Sequence, residues 1–591
     1  MIWTGDSARH DSDESIPRSA DQVLNTNQLL SDKIIETFTS DKNPSRLSIP
    51  VVPTFGNNDI LPHNILLPGP NRWLQRYAEM WKTFIPEEQL HSFEFGGWFS
   101  VEVVPGKLAV FSLNTLYFFD RNAGVDGCAA PSEPGFKQME WLRIQLQSLR
   151  TRGVKAILMG HVPPARTDSK QLWDETCWQK YSLWLKQYRD VIAGSVYGHM
   201  NIDHFVLHDT KEIDVMLAGG TAEDQKSIEL DDFLDGDGGD LVEEADNHVA
   251  KRGVDDYLQE LRQRWSKLPS IGHLDGVAED ASVSGKHKKK KGKNGEKHKD
   301  KPLQNLGGKW AERFHVSLIS PSIVPNYFPT LRVVEYNISG MGGDTLSWYD
   351  ANPGLLERGR DAGELADDEL DQEIALAARL AEKNRKGGGK GKKPKNPSLV
   401  VPSPPPKSSP PGPAYSPQLF SFTGYTQYFA NLTDINNDIS PYEADEYEHG
   451  ELEERKWRDG THSGKKPKSK KPEPKEFRFE VEYDTFSDKI YKLSDLTVKS
   501  YLKLASRIAK SPGKKRKSLD TQSESDDISV HDWEGVEVDT EEADEGVEAE
   551  GKKHKKKHHN NKKKKNKVWL HFLKHAFVST EDKKDLEKLG D

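Results

Sequence analysis

The stretch VIAGSVYGHMNIDHF, residues 191–205, decides the fold class. It opens on a run of apolar and small residues, the composition of a strand buried on both faces. The run stops at Gly198-His199, and a second strand-like run, HFVLHD (204–209), follows. The same design stands upstream, where VKAILMG (154–160) runs into His161. Between the two, a helix is predicted near 172–190, and another near 134–150 precedes the first. Further back, FSVEVVP (99–105) and LAVFSLN (108–114) read as strands. Residues 24–40 and 69–84 read as helices, and 47–54 as a strand running into a loop. Downstream, HVSLIS and TLRVVEYN within 310–339 read as strands. Strands alternating with helices predict a layered α/β domain.

Composition limits how much of the chain joins that domain. Of 591 residues only 34% are hydrophobic, 30% are charged, and the mean hydropathy is −0.78. Packed domains are nearer 45–50% apolar, so a large share of the chain is predicted to be disordered. The net charge of −10 conceals segregated blocks, Lys-rich at 286–301, 465–476, 513–517 and 552–567, acidic around 230–246 and 538–550. No apolar run is long enough to cross a membrane, and the polar start shows no signal peptide. Two cysteines, Cys128 and Cys177, exclude a Cys-based zinc domain or disulfide-rich scaffold; one bridge and two free thiols both stay open. The partition that follows is 1–220 globular, 221–306 a charged disordered insertion, 307–350 the return of the same domain, and 351–416 an acidic, then Lys- and Pro-rich linker. Residues 417–508 form an ordered region with an insertion near 445–476, 509–567 a charged tract, and 568–591 a terminal helix docking back.

Five short strings share one chemistry: Gly5-Asp6, His10-Asp11, Gly56-Asn57-Asn58-Asp59, Gly160-His161 and Gly198-His199 with Asn201. Three of them directly follow predicted strand ends, where open α/β sheets bind ligands. Asp, Asn and His supply oxygen and neutral imidazole donors, a set suited to Mn, Fe, Zn or Mg. A lone Gly-His is commonplace, and one histidine is more often a surface or satisfied core residue. The ordered series GD, GNN, GH, GH-x-N, each after an apolar run, is far more specific.

That series resembles the calcineurin-like metallophosphoesterase superfamily. GDSARHD and GHMNIDHF are similar to its acid sphingomyelinase-like branch. SPSIVPNYFPTLRVVEYN, QYFANLTDIN and DLTVKSYLKLASRI resemble the fungal vacuolar endopolyphosphatase family. The resemblance covers about 1–220, 310–345, 417–440 and 477–508, and leaves out the charged blocks. It implies a metallophosphoesterase sandwich of two mixed β-sheets flanked by helices, with two divalent cations (Mn, Mg, Zn, Fe or Co). Asp6 would bridge both; Asn57, His161 and His199 would hold the second. Asn201 stands where the family has a histidine ligand of the first metal. Asn58 stands where it has a substrate-facing histidine, which leaves His10 as proton donor to the leaving group, with His63 and His204 as lesser candidates. The implied reaction is cleavage of internal phosphoanhydride bonds of inorganic polyphosphate by a hydroxide activated between the cations. The alternatives are a sphingomyelinase-like phosphodiesterase and a non-catalytic polyanion-binding protein.

The family's first motif, Asp-x-His, lies upstream of its Gly-Asp, as do its cytoplasmic tail and membrane span. Neither has a counterpart here, so the resemblance predicts an N-terminally truncated chain, a vacuolar-membrane location with a luminal catalytic domain, and membrane contact only through the missing segment. Asn337-Ile-Ser and Asn431-Leu-Thr are glycosylation sequons beside family-like strings. The Lys blocks would attract a polyanion, but a solvated insertion is the favoured reading. No aromatic-interleaved basic surface accompanies them, so no nucleic-acid partner is expected. The DGDGGD string (235–240) fails as a calcium loop because its Gly order is inverted.

Overall fold

A computed structural model of the chain describes residues 1–10, 17–41, 43–168, 170–226, 253–269, 305–324, 327–342, 348, 367–386, 398–435, 475–510 and 565–589. The DGDGGD string and the charged blocks, apart from residues 475–476 and 565–567 at their edges, lie outside these residues, and so does the disorder expected of them. Thirteen strands occur among them. In the N-terminal part these are β1 (Ile2–Trp3), β2 (Thr39–Ser40), β3 (Asn43–Leu47), β4 (Val52–Pro53), β5 (Phe99–Val104) and β6 (Leu108–Ser112). Then follow β7 (Lys155–Met159), β8 (Ile192–Tyr197), β9 (His204–Asp209), β10 (Phe314–Ile319), β11 (Thr330–Tyr336), β12 (Phe422–Phe429) and β13 (Glu480–Asp484).

The principal sheet has six strands in the order β5-β6-β7-β8-β10-β9. β6, β7, β8 and β10 run parallel, and antiparallel β5 and β9 flank them. The parallel strands are near-continuous apolar runs buried on both faces, and the Pro134–Arg152 and Glu175–Gln187 helices make the crossovers between them. A parallel pair, β1 with β4, lies beside this sheet. Ser112 Oγ donates to the Pro53 carbonyl at 2.7 Å, and Thr54 Oγ1 donates to the Leu113 carbonyl at 3.2 Å. The fold is therefore the mixed α/β layering expected of a metallophosphoesterase sandwich.

Three departures from the sequence-based partition stand out. First, TLRVVEYN does not complete the principal sheet: β11 pairs with β12, and β12 with β13, in a separate antiparallel sheet. That sheet joins segments assigned to different regions. Phe422 seats it against β8, where a Cβ on Gly194 would stand 2.5 Å from the Phe422 ring. Second, residues 221–306 hold the Val254–Ser266 helix, whose Tyr257, Leu258, Leu261 and Trp265 are buried. The spacing of those four residues is an amphipathic stripe, so this part of the insertion belongs to the core. Third, within the 351–416 linker Ser398 and Leu399 both donate backbone N–H groups to the Gly219 carbonyl, at 3.0 and 3.1 Å.

The Lys567–Ala576 helix buries Trp569, Phe572 and Leu573. Its landing point is Phe205 on β9. That ring stacks on Trp265 at 4.6 Å and contacts Tyr501 at 4.8 Å and Phe572 at 6.2 Å. The Val254–Ser266, Val498–Ala509 and Lys567–Ala576 helices, distant in sequence, thus meet on one side chain of the 191–205 segment.

Candidate metal centre

Four turns converge at the carboxyl ends of β1, β4, β7 and β8. Gly5 and Gly56 permit the approach of the first two. Gly5 has φ +83°, and a Cβ on Gly56 would fall 2.1 Å from Asp6 Oδ1. Only the missing side chain lets the two backbones stack there. Asp6 and His199 themselves have positive φ (57° and 67°), as does Asn201 (58°). Non-glycine residues seldom hold this conformation without compensation.

Much of the compensation comes from Asp59. Its buried carboxylate accepts backbone N–H bonds from Asp6 (2.7 Å), Ser7 (2.9 Å), Ala8 (2.9 Å) and Gly56 (2.8 Å), and the Asn27 amide at 3.1 Å. Burial, and then the charge on Asp6, push this carboxyl up. Yet these partners on both oxygens are N–H donors, which favour the carboxylate. Asp59 closes the GNND string but received no role from sequence reasoning. A buried anchor carries no periodic signal, and only its position beside two ligand candidates hinted at it.

The residues Asp6, Asn57, His161 and His199 are brought together. Asp6 Oδ2 is 3.2 Å from His161 Nε2, which is 2.8 Å from Asn57 Oδ1 and 3.2 Å from His199 Nδ1. Asn57 Oδ1 and His199 Nδ1 are 2.8 Å apart. Donors held at about 2.1 Å by one cation sit about 3.0 Å apart on an octahedral edge and about 3.4 Å apart on a tetrahedral one. The observed edges suit such an ion.

Hydrogen bonds orient the same atoms inward. His161 Nδ1 donates to the Thr4 carbonyl at 2.7 Å, which leaves the lone pair of the neutral ring on Nε2. The Asn57 amide nitrogen donates to His63 Nε2 (2.7 Å) and Asn64 Oδ1 (2.9 Å), so its oxygen faces the cluster. Burial works to raise the Asp6 carboxyl, but His161, His10 and His199 outweigh it and hold it well below the usual carboxylate range. Burial, then His161, Asp6, Lys170 and Arg121, act on His199, and the balance is a ring held well below its ordinary value and hence neutral. A carboxylate and the neutral His199 ring are protonation states a cation requires. Burial lowers the His161 ring, but the Asp6 carboxylate and the Thr4 carbonyl outweigh it and hold the ring above its ordinary value, so a cation would take the place of a proton on Nε2.

The remaining expected residues sit around this core. His10 Nε2 is 3.6 Å from Asp6 Oδ2, and the Asn201 amide nitrogen is 3.4 Å from His10 Nε2. Asn58 directs its backbone N–H to Asp6 Oδ1 and its side-chain amide to Asp6 Oδ2, both at 2.9 Å. His204 is elsewhere: its Nε2 is 3.0 Å from the Tyr257 hydroxyl in the core. Cys128 and Cys177 are joined in a disulfide that ties the loop before the Pro134–Arg152 helix to the Glu175–Gln187 helix. The sequon residue Asn431 accepts the Asp434 N–H at 3.2 Å, and Asn337 accepts the Ser339 N–H at 2.7 Å. No helix among the described residues is long and apolar enough to cross a membrane.

No family model matches the chain. Curated proteins do. It is 52% identical to a Neurospora crassa protein named endopolyphosphatase, over all of this chain and 83% of that one. Proteins of the same name from Saccharomyces cerevisiae (32% identical, 86% of this chain, 72% of the relative) and Debaryomyces hansenii (32%, 98% and 77%) are also similar.

Proposed function

Because this chain belongs to the endopolyphosphatase family, we propose that it cleaves internal phosphoanhydride bonds of inorganic polyphosphate at the Asp6 cluster. It is a hydrolase acting on polyphosphate, and the sphingomyelinase-like and non-catalytic alternatives have no support among these relatives. The observation that carries the assignment of the site is the convergence of four donor atoms with edges of 2.8–3.2 Å.

Asp6, Asn57, His161 and His199 would hold a divalent cation. A second would share Asp6 and take Asn201 as a carbonyl ligand. Bound there, such ions supply a Lewis acid for phosphoryl oxygens and a lowered pKa for their water. The chain's own residues do the rest. Asn58 holds the Asp6 carboxylate in place through two hydrogen bonds. His10, beside that carboxylate, delivers a proton to the departing phosphate oxygen. A phosphoanhydride already leaves readily, so one modest acid is enough. Lys170 and Arg121, whose charges reach His199, offer the polyanion a cationic wall. The Cys128–Cys177 bridge suits an oxidising compartment. Together with the Asn337 and Asn431 sequons it supports glycosylation and a luminal, vacuolar setting.

The test is incubation of the purified chain with long-chain polyphosphate and Mn²⁺, followed by sizing of the products. Shortened chains are expected; orthophosphate alone would contradict internal cleavage. Asp6→Ala and His199→Ala should each abolish turnover, and surviving activity in either would move the site elsewhere.

A further inference from the structure

A second cluster of metal-ligating side chains lies away from Asp6, where the Lys567–Ala576 helix packs on the loop after β13. Asp488, His571 and His575 each bring a ligand atom within 4.8 Å of the others. The histidines are four residues apart on a helix, hence on one face. Their ring centroids are 4.4 Å apart and their planes perpendicular.

The hydrogen bonds around the cluster leave a gap that a cation would fill. His575 is 2% exposed. Its Nδ1 faces Glu482 Oε1 at 2.9 Å, and that oxygen also accepts the Ser579 hydroxyl at 2.9 Å, while Gln427 holds Glu482 Oε2 at 2.7 Å. A carboxylate only accepts, so Nδ1 carries the proton and the lone pair of the neutral ring is on Nε2. That buried nitrogen has no partner among the described residues. Beside it, Asp488 is equally prepared: its Oδ1 accepts the Ile490 and Tyr491 N–H groups at 2.7 and 2.6 Å. Its Oδ2 faces His571 Nε2 at 2.6 Å. A carboxylate behind a histidine whose other nitrogen points at the site is the arrangement that orients metal-bound imidazoles.

We propose that Asp488, His571 and His575 bind a divalent cation of the zinc class as a structural staple, with Glu482 holding His575 from behind. Two imidazoles and one carboxylate are a usual zinc donor set and leave a position for water. The staple joins the terminal helix to the three-stranded sheet. It also reaches the Asp6 cluster indirectly, because the helix end accepts the Asp203 N–H on the Ala576 carbonyl at 3.1 Å. Asp203 lies in the same GHMNIDHF segment as His199.

The experiment uses the full chain carrying Asp6→Ala and His161→Ala, so that the other cluster is disabled. The protein is exposed to Zn²⁺, dialysed, and its zinc measured by atomic absorption; its melting temperature is recorded with and without zinc. About one retained zinc per chain is expected, with a rise in melting temperature. Both should vanish on adding His571→Gln, a half-buried position whose loss leaves the helix core intact, as circular dichroism will verify. His575→Gln should do the same. Equal zinc content with and without His571→Gln overturns the proposal, as does a background protein that holds no zinc. Zinc that survives His571→Gln but disappears on replacing His554, His558 and His559 belongs to that tract, and overturns it too.

Discussion

Single residues carry unequal shares of the Asp6 cluster, and Asp59 shows how. It has no position among the donor atoms, yet its carboxylate gathers N–H groups from both the Gly5-Asp6 turn and the Gly56 turn. Without it, those buried donors face one another without an acceptor. Asp59→Ala should therefore lower stability by about 3 kcal/mol or more, read as a drop in urea midpoint. An unchanged midpoint would mean that the turns hold their shape by other means. Asn57 makes a related point. Its oxygen faces the cluster because His63 and Asn64 hold its amide nitrogen, so a residue named for its oxygen depends on neighbours chosen for its nitrogen.

The Val254–Ser266 helix is the element with the most to say about the boundary between core and insertion. It arises from a chain region whose flanks are charged and Gly-rich, and it brings Trp265 flat against Phe205, at 4.6 Å with planes 7° apart. Trp265→Ala should cost about 3–5 kcal/mol, the penalty of deleting a large buried aromatic side chain. A solvated insertion would show almost no change in the same denaturation experiment. The β11-β12-β13 sheet is another such element. Its Arg332 forms a buried ion pair with Asp203 at 2.6 Å, and the Tyr483 hydroxyl donates to the same carboxylate. The sheet thereby braces the loop that carries His199.

On the scale of the whole molecule, the core contains neutral histidines. His204, His208 and His315 are fully buried, and burial pushes each down to about 3. An unfolded chain takes up protons on these rings from about pH 6.5 downward, whereas the folded chain does not until near pH 3. Stability from this source is complete above pH 6.5 and is lost as pH falls toward 3. The loss is about 1 kcal/mol per histidine over the first pH unit and about 1.4 per unit after that. Urea midpoints should fall steadily from pH 7 to pH 5, and His208→Gln should flatten the slope. A flat profile would show that these rings accept protons while folded.

The amino-acid sequence by itself determined whatever is local. Apolar runs such as VKAILMG and VIAGSVYG specify strands because burial on both faces demands such runs. The glycine after each lets the chain turn and leave a donor at the strand end. From that, the α/β layering was legible, and so were Asp6, Asn57, His161 and His199 as candidate donors. Tertiary structure alone decided which distant segments touch. It put β11 with β12 and not in the principal sheet, gathered three helices on Phe205, and set Asp59 under the turns. It also set Glu482 behind His575, across 93 residues. The physical reason is that strand and turn preferences act over a few bonds, whereas buried hydrogen bonds and ring contacts depend on the closure of long loops. Closure of that kind costs entropy that grows only slowly with length, so a near partner in sequence has little advantage over a far one. No local pattern marks which far partner completes a buried group.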